Sequence, residues 1–86
     1  MLKDYGHIHK GGIWSICCSP DDSYLFTSDD TGCIKQFNVK TKNLYKDHGQ
    51  VDRAFIRSIL ITPNGQNLFV SDLNGKLMQF KINDKI

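Results

Sequence analysis

Apolar residues along this chain fall in short runs broken at close intervals by turn formers. Ile13-Trp14-Ser15-Ile16-Cys17-Cys18 is a β-rich run that stops at Ser19-Pro20-Asp21-Asp22, where Pro20 presets a turn and Asp21 can bond its own backbone. Tyr24-Leu25-Phe26-Thr27-Ser28 is the next run, closed by Asp29-Asp30-Thr31-Gly32. From Ile34 to Val39 apolar and polar residues then alternate with a period of two, the mark of a strand with one wetter face. Lys40-Thr41-Lys42 makes a polar turn. Asn43 to Asp47 is a fourth, weaker strand whose lysine suits an exposed edge. The same order returns in Ile56 to Ile61, Asn67 to Ser71 and Lys76 to Ile82, with Asn64-Gly65 and Asn74-Gly75 at the turns, and Asn-Gly is the strongest short hairpin signal.

The recurrence is a repeat with an offset of 43 residues and no gap: Pro20 falls on Pro63, Phe26 on Phe69, Gly32 on Gly75 and Phe37 on Phe80. The chain therefore divides into two copies of one unit, residues 1–43 and 44–86. A period in the range of roughly 40 to 45 residues is that of one four-stranded propeller blade. The innermost runs carry apolar residues on both faces, as expected of strands packed between two neighbouring sheets. The predicted fold is all-β, two antiparallel β-sheet blades forming part of a propeller.

Composition agrees with strands. There is no Glu and one Ala, while Ile, Val, Phe, Tyr and Thr are plentiful. A net charge of +2, with both signs interspersed, gives neither a nucleic-acid footprint nor an acidic tail. Three cysteines, two of them adjacent, do not make a disulfide framework and read as free buried thiols. No Asn-X-Ser/Thr sequon, signal-like start or apolar run of about 18 residues occurs, so the expectation is an intracellular, cytoplasmic chain that is not secreted.

Two passages resemble the WD-repeat family. His9-Lys10-Gly11-Gly12-Ile13-Trp14-Ser15-Ile16, followed by Cys18-Ser19-Pro20-Asp21, is similar to the opening of a WD repeat, where a histidine precedes an apolar-X-Ser-apolar strand and a Ser-Pro-Asp turn. Leu25 to Asn38 sits where that family has its Ser-X-Asp turn and its closing Trp-Asp, here Phe37-Asn38 and, in the second copy, Phe80-Lys81. The resemblance implies a network running from the loop histidine through a strand hydroxyl and a turn aspartate to the tryptophan. His9 and Ser28 stand for the first two members, but the histidine becomes Asp52 in the second copy. The family's turn aspartate aligns with Thr31 and Asn74, so as the family builds it neither copy completes the network. Asp29 and Asp72 lie two positions earlier, where they could substitute. Phe37 and Phe80 keep the ring volume and lose the indole donor. His9, Ser28, Asp29, Phe37, Ser71, Asp72 and Phe80 are thus structural repeat positions.

Other chemistry is thinner. His7 and His9 lie on one side of an extended segment, but His9 has a structural place in the repeat and no metal site is expected. Asp29-Asp30 and Asp72 are turn formers rather than an acid/base pair. No phosphate loop or catalytic Ser/His/Asp order occurs, and no cofactor is expected. Trp14 and Arg57 hold the same repeat position and differ sharply, while Ile13/Ile56 and Ser15/Ser58 around them are kept. The resemblance puts this position near the partner-facing end of a propeller channel, and Trp and Arg are enriched at binding hot spots.

The expected function is a non-enzymatic scaffold that binds proteins or peptides, with Trp14 and Arg57 as candidate contacts and neither nucleic acid nor membrane as partner. The alternative is a piece of a lactonase-type enzymatic propeller, since Pro63 to Asp72 also resembles the Pro-Asp-Gly-X-X-Leu-Tyr-Val passage of those proteins. Leu2 to Gly6 aligns with Tyr45 to Gly49, so the chain is expected to open on an outer strand, and to close at Asn83-Asp84-Lys85-Ile86 before the second unit's own outer strand. Its two end faces would then be covered by the remaining blades of a longer propeller or by self-association.

Overall fold

A computed structural model describes residues 1–82; Asn83 to Ile86, where the second unit was expected to stop short of an outer strand, lie outside the described residues. Seven strands follow in order: β1 Ile13–Cys18, β2 Tyr24–Asp29, β3 Cys33–Asn38, β4 Leu44–Gln50, β5 Ile56–Ile61, β6 Asn67–Asp72 and β7 Leu77–Lys81. They form two antiparallel sheets with the strand orders β1-β2-β3-β4 and β5-β6-β7. The chain is all-β. Register repeats with the sequence: Phe26 faces Gln36 and Leu25 faces Phe37 in the first sheet, Phe69 faces Gln79 and Leu68 faces Phe80 in the second.

The turns explain why the runs stop where they do. Asp21 Oδ1 accepts the Ser23 N–H at 3.0 Å and the Ser19 hydroxyl at 2.8 Å, and Ser19 Oγ accepts the Tyr24 N–H at 2.9 Å. Thr62 and Asn64 build the same device in the second unit: Asn64 Oδ1 accepts the Gln66 N–H at 3.0 Å and Thr62 Oγ1 accepts the Asn67 N–H at 3.2 Å. A hydroxyl, a proline and a short acceptor side chain therefore fold the hairpin in both units.

The core lies between the sheets. Phe26, Ile34, Ile56, Leu68 and Val70 are fully buried there, and Ile59 nearly so. A hydrogen bond crosses the seam, from the Ile59 N–H to Ser15 Oγ at 3.1 Å. On β4, His48 stacks on Phe26 and donates from Nε2 to Gln36 Oε1 at 2.9 Å. Burial, and then the charge of Lys46, hold that imidazole below its usual pKa.

Three expectations change. The innermost strand β1 is covered on one face only, since Trp14 and Ile16 are exposed. Leu2 to Gly6 forms no strand, because no sheet edge lies beside it to supply hydrogen bonds. The segment instead lies over the outward face of the first sheet, with Tyr5 edge-on to Phe37 and Lys35 Nζ bonded to the Ile8 carbonyl. The cysteines are free, but only Cys17 and Cys33 are half-buried while Cys18 is exposed. Burial and the neighbouring Cys18 push the Cys17 thiol up to about 11.

Candidate functional site

The pairing of β1 with β2 slips by one residue between Ile13 and Ser15, because Ile13 faces Asp29 while Ser15 faces Ser28. Trp14 is the extra residue of a β-bulge. β5 repeats the slip between Ile56 and Ser58, so Arg57 is the extra residue there. A bulged residue is released from the inward-outward alternation, and bulges recur where a side chain must be re-aimed. Both side chains face solvent: Trp14 is 57% exposed and Arg57 is exposed. The indole lies against the Phe55 ring at 4.6 Å between centroids, tilted by 55°.

The loop that carries Phe55 is tied down from both sheets. Gly32 O accepts the N–H groups of Val51 and Asp52 at 2.9 and 3.3 Å, and Leu73 N–H donates to Phe55 O at 3.0 Å. Gly32 has φ +84°, and a Cβ there would come within 1.7 Å of Asp52 O, so only glycine permits this approach. Trp14, Phe55 and Arg57 therefore stand on a fixed backbone. Two clefts, of about 410 and 350 Å³, open elsewhere, beside Pro20 and Pro63 and beside His9 and Gln50, and neither is lined by Trp14 or Arg57. The exposed aromatic and cation suit a partner's surface better than an enclosed small molecule.

Beside the first bulge, where Ile13 faces Asp29, sits the polar network. His9 Nδ1 meets Asp29 Oδ2 at 2.7 Å and Nε2 meets Thr27 Oγ1 at 2.6 Å, with the His9 and Asp29 side chains 1% and 2% exposed. Asp29 Oδ1 accepts the Thr31 hydroxyl at 2.7 Å and the N–H groups of Thr31 and Cys33 at 2.9 and 3.0 Å. Burial pushes this carboxyl up, but the bonds from Thr31, Cys33 and His9 together outweigh it and hold the carboxyl below its usual pKa. The first unit thus completes a histidine–hydroxyl–aspartate network through Asp29, contrary to the expectation that neither would. Its hydroxyl is Thr27 rather than Ser28. Period two puts Thr27 and Asp29 on one face of β2 and Ser28 on the other, where it is buried and makes a long bond of 3.5 Å to Ser15 O.

In the second unit Asp52, Val70 and Asp72 hold those three places. Asp72 Oδ1 still closes its turn, accepting the Asn74 and Lys76 N–H groups at 2.9 Å each. These bonds, above all the one from Lys76, and a side-chain contact with Asp52 hold the Asp72 carboxyl below its usual value. Asp52 Oδ2 is buried with no hydrogen-bond partner among the described residues. Phe37 is buried at 4% exposure, and Phe80 and Ser71 are half-buried.

Residues 2–38 match the family described as WD domain, G-beta repeat. The match covers the first unit only. Solved WD-repeat propellers share its fold: the WD40 repeats of RRP9 superpose with a TM-score of 0.80 at 17% identity over 85% of this chain and 23% of that one. The Cps50 (Swd1) β-propeller domain of Myceliophteria thermophila gives 0.77 at 15% identity over 87% and 23%, and U3-55K gives 0.75 at 18% over 85% and 24%. The chain thus spans about a quarter of the length of these structures. No curated protein matches it in sequence. The sequence reading did not single out Phe55, which lies against Trp14; the one available signal was an aromatic just ahead of β5 in a loop otherwise lacking large apolar side chains.

Proposed function

We propose that this WD-repeat chain is a non-enzymatic interaction scaffold, intracellular, that holds a protein or peptide against a rim made of Trp14, Phe55 and Arg57. The observation that carries the reading is the pair of matched bulges, which turn Trp14 and Arg57 outward at the same point of two successive innermost strands. A backbone distorted identically in both units, with unlike side chains displayed on it, fits a surface whose framework is fixed and whose chemistry is free to specialise. Large rigid aromatics and an arginine supply contact area and directional hydrogen bonds at little entropic cost. The aspartates that an enzymatic reading would need are otherwise engaged: Asp21, Asp29 and Asp72 each accept backbone N–H groups of their own turns, and Asp47 accepts that of Gly49 within β4.

Trp14 is the single tryptophan, so its emission reports directly on the rim. A ligand drawn from a peptide array is expected to shift that emission. Arg57→Ala should weaken the ligand's binding by about tenfold or more, as loss of a hot-spot side chain does, and leave the melting temperature within about 1 °C, as for other exposed sites. A large fall in melting temperature with binding intact would overturn the assignment.

A further inference from the structure

At the end of the sheets where the bulges lie, the two units differ by more than Trp14 and Arg57. The 43-residue offset sets Arg53 where the first unit has Lys10, Phe55 where it has Gly12, Leu73 where it has Asp30 and Lys76 where it has Cys33. The first unit therefore turns both a cation and a carboxylate to solvent at this end, Lys10 and Asp30, whereas the second exposes Arg53, Arg57 and Lys76 and no carboxylate. Both acids of the second unit face inward. Asp72 is buried and closes its turn, and Asp52 Oδ1 accepts the Ala54 N–H at 3.2 Å while its Oδ2 is buried. Lys76 gives its N–H to Asp72 and sets its charge beside that carboxylate, both of which lower the carboxyl's pKa. The charges left unbalanced are the two guanidiniums, neither of which forms a salt bridge among the described residues. Their exposure belongs to the strand ends: Lys10, Trp14 and Asp30, at the corresponding places, are exposed although the second unit packs beside the first.

Arg53 and Arg57 flank Phe55 in sequence, and Phe55 joins an apolar strip. Trp14 rests on its ring, and the Leu73 N–H holds its carbonyl at 3.0 Å. The Trp14 and Leu73 side chains are 57% and 58% exposed. Asp30, the exposed acid of the first unit, lies back against Gly11, filling the space a Cβ would take there.

We propose that the partner held at this rim is an acidic peptide segment in extended form. Its aspartate or glutamate carboxylates bond to Arg57 and Arg53, and an apolar side chain of the same segment covers Trp14, Phe55 and Leu73. The proposal rests on the rim assigned to Trp14, Phe55 and Arg57 and adds the chemistry of what that rim holds. Charge complementarity picks the class. Indole and guanidinium N–H groups donate and cannot accept, and a planar guanidinium meets a carboxylate through two parallel bonds. A nucleic-acid strand needs a longer cationic track than two guanidiniums supply. Spacing follows as well. Trp14 and Arg57 hold the same place on two facing sheets, which pack about 10 Å apart, and an extended segment advances about 3.3 Å per residue, so apolar anchor and carboxylate stand about three residues apart.

Titration of Trp14 emission with two synthetic peptides tests this. Each is a Gly/Ser chain of about twelve residues with a leucine and, about three residues on, a pair of glutamates in one peptide and a pair of glutamines in the other. The glutamate peptide should bind with a Kd about tenfold or more below that of the glutamine peptide, as for hydrogen bonds to a charged group. Salt of about 1 M, where the screening length is about 3 Å, should remove most of that difference. Arg57→Ala should reduce the preference and Arg53→Ala combined with it should abolish it, whereas Arg57→Glu should make a lysine version of the peptide the tighter ligand. Lys40→Ala, at the opposite end of the sheets, should leave the preference as in the wild type. A glutamate peptide that leaves the emission unmoved, equal affinity for the two peptides, a preference that outlives the double variant, or tighter binding of a single-stranded DNA oligonucleotide would overturn the inference. If a neutral or basic array peptide binds and is weakened by Arg57→Ala, the rim stands and the acidic partner falls; if no peptide moves the Trp14 emission, both fall.

Discussion

The cluster His9–Thr27–Asp29 and its counterpart Asp52–Val70–Asp72 occupy the same corner of two sheets folded in the same register. In the first, one imidazole bridges a hydroxyl and a carboxylate, all three being largely sealed from water. In the second, a carboxyl has replaced the imidazole, the hydroxyl has become an isopropyl group, and one buried oxygen goes unpaired. Strand pairing is nonetheless the same, bulge for bulge. What both corners keep is the turn: Asp29 and Asp72 each accept the N–H groups two and four residues on, at 2.9 to 3.0 Å. The aspartate's service to its own backbone therefore defines the blade, and the histidine bridge adds stability that one blade does without.

The rings that close the two units give the largest expected contrast. Phe37 is buried beneath Tyr5 and beside its cross-strand partner Leu25, whereas Phe80 is half-buried on β7, an edge of its sheet among the described residues. Truncation to alanine should cost about 3–5 kcal/mol at Phe37, the usual range for a buried Phe. At Phe80 the expected cost is about 2–3 kcal/mol, since less area leaves water on folding. Urea denaturation of both variants checks this, and equal losses would mean that the second blade is sealed as tightly as the first.

The network itself offers the next contrast. His9→Asp installs the second unit's arrangement in the first, setting an added carboxyl against Asp29 without its bridging donor, and should destabilise by about 2–3 kcal/mol. Asp52→Asn does the reverse. It replaces an unpaired buried oxygen with an amide donor facing Asp72 and should stabilise by about 1 kcal/mol. Acid sharpens the distinction. Asp29 has a folded pKa below its ordinary value of 3.8, so its contribution is present above that value and is lost as pH falls through the lower folded one. His9→Ala removes one of the bonds that depress it, and acid unfolding should then begin at higher pH than in the wild type. An unchanged acid midpoint would show that Thr31 and Cys33 hold the carboxylate unaided.

Most of this architecture was legible in the sequence, because turns and alternation are local. Pro20-Asp21 and Pro63-Asn64 each announce a hairpin, and the 43-residue offset links them. The polar corner was only half legible. Ser28 and Thr27 are adjacent hydroxyls, and a shift of one residue exchanges the faces of a strand, so composition alone could not say which meets His9. The bulges were invisible as backbone features. The only trace was that Trp14 and Arg57 diverge between conserved neighbours, which is what release from the sheet's alternation permits. The outer segment was misread because Leu2 to Gly6 carries the pattern of a strand, but a strand also needs an edge to pair with.

The smallest effect is expected at the left-handed position of the two hairpin turns. Asp22 has φ +63° and Gly65, its counterpart, has φ +73°, so one backbone shape is built once with a side chain and once without. A left-handed conformation costs an ordinary residue about 1–2 kcal/mol, and less for Asp, whose short side chain bonds locally. Glycine avoids that strain but loses about 0.5–1 kcal/mol more in chain entropy on folding. The two terms nearly cancel. Asp22→Gly should therefore stabilise by no more than about 0.5 kcal/mol, and Gly65→Asp should cost about the same. Room exists for the second change, because a Cβ at Gly65 would rest 3.6 Å from Pro20 Cδ, an ordinary contact between the two units. Thermal unfolding of both variants and of the double exchange measures the balance. A loss of more than about 1 kcal/mol at Gly65 alone would mean that the turn of the second unit presses on Pro20 more closely than its counterpart presses on anything, and that the seam between the units, not the turn, sets the choice of glycine.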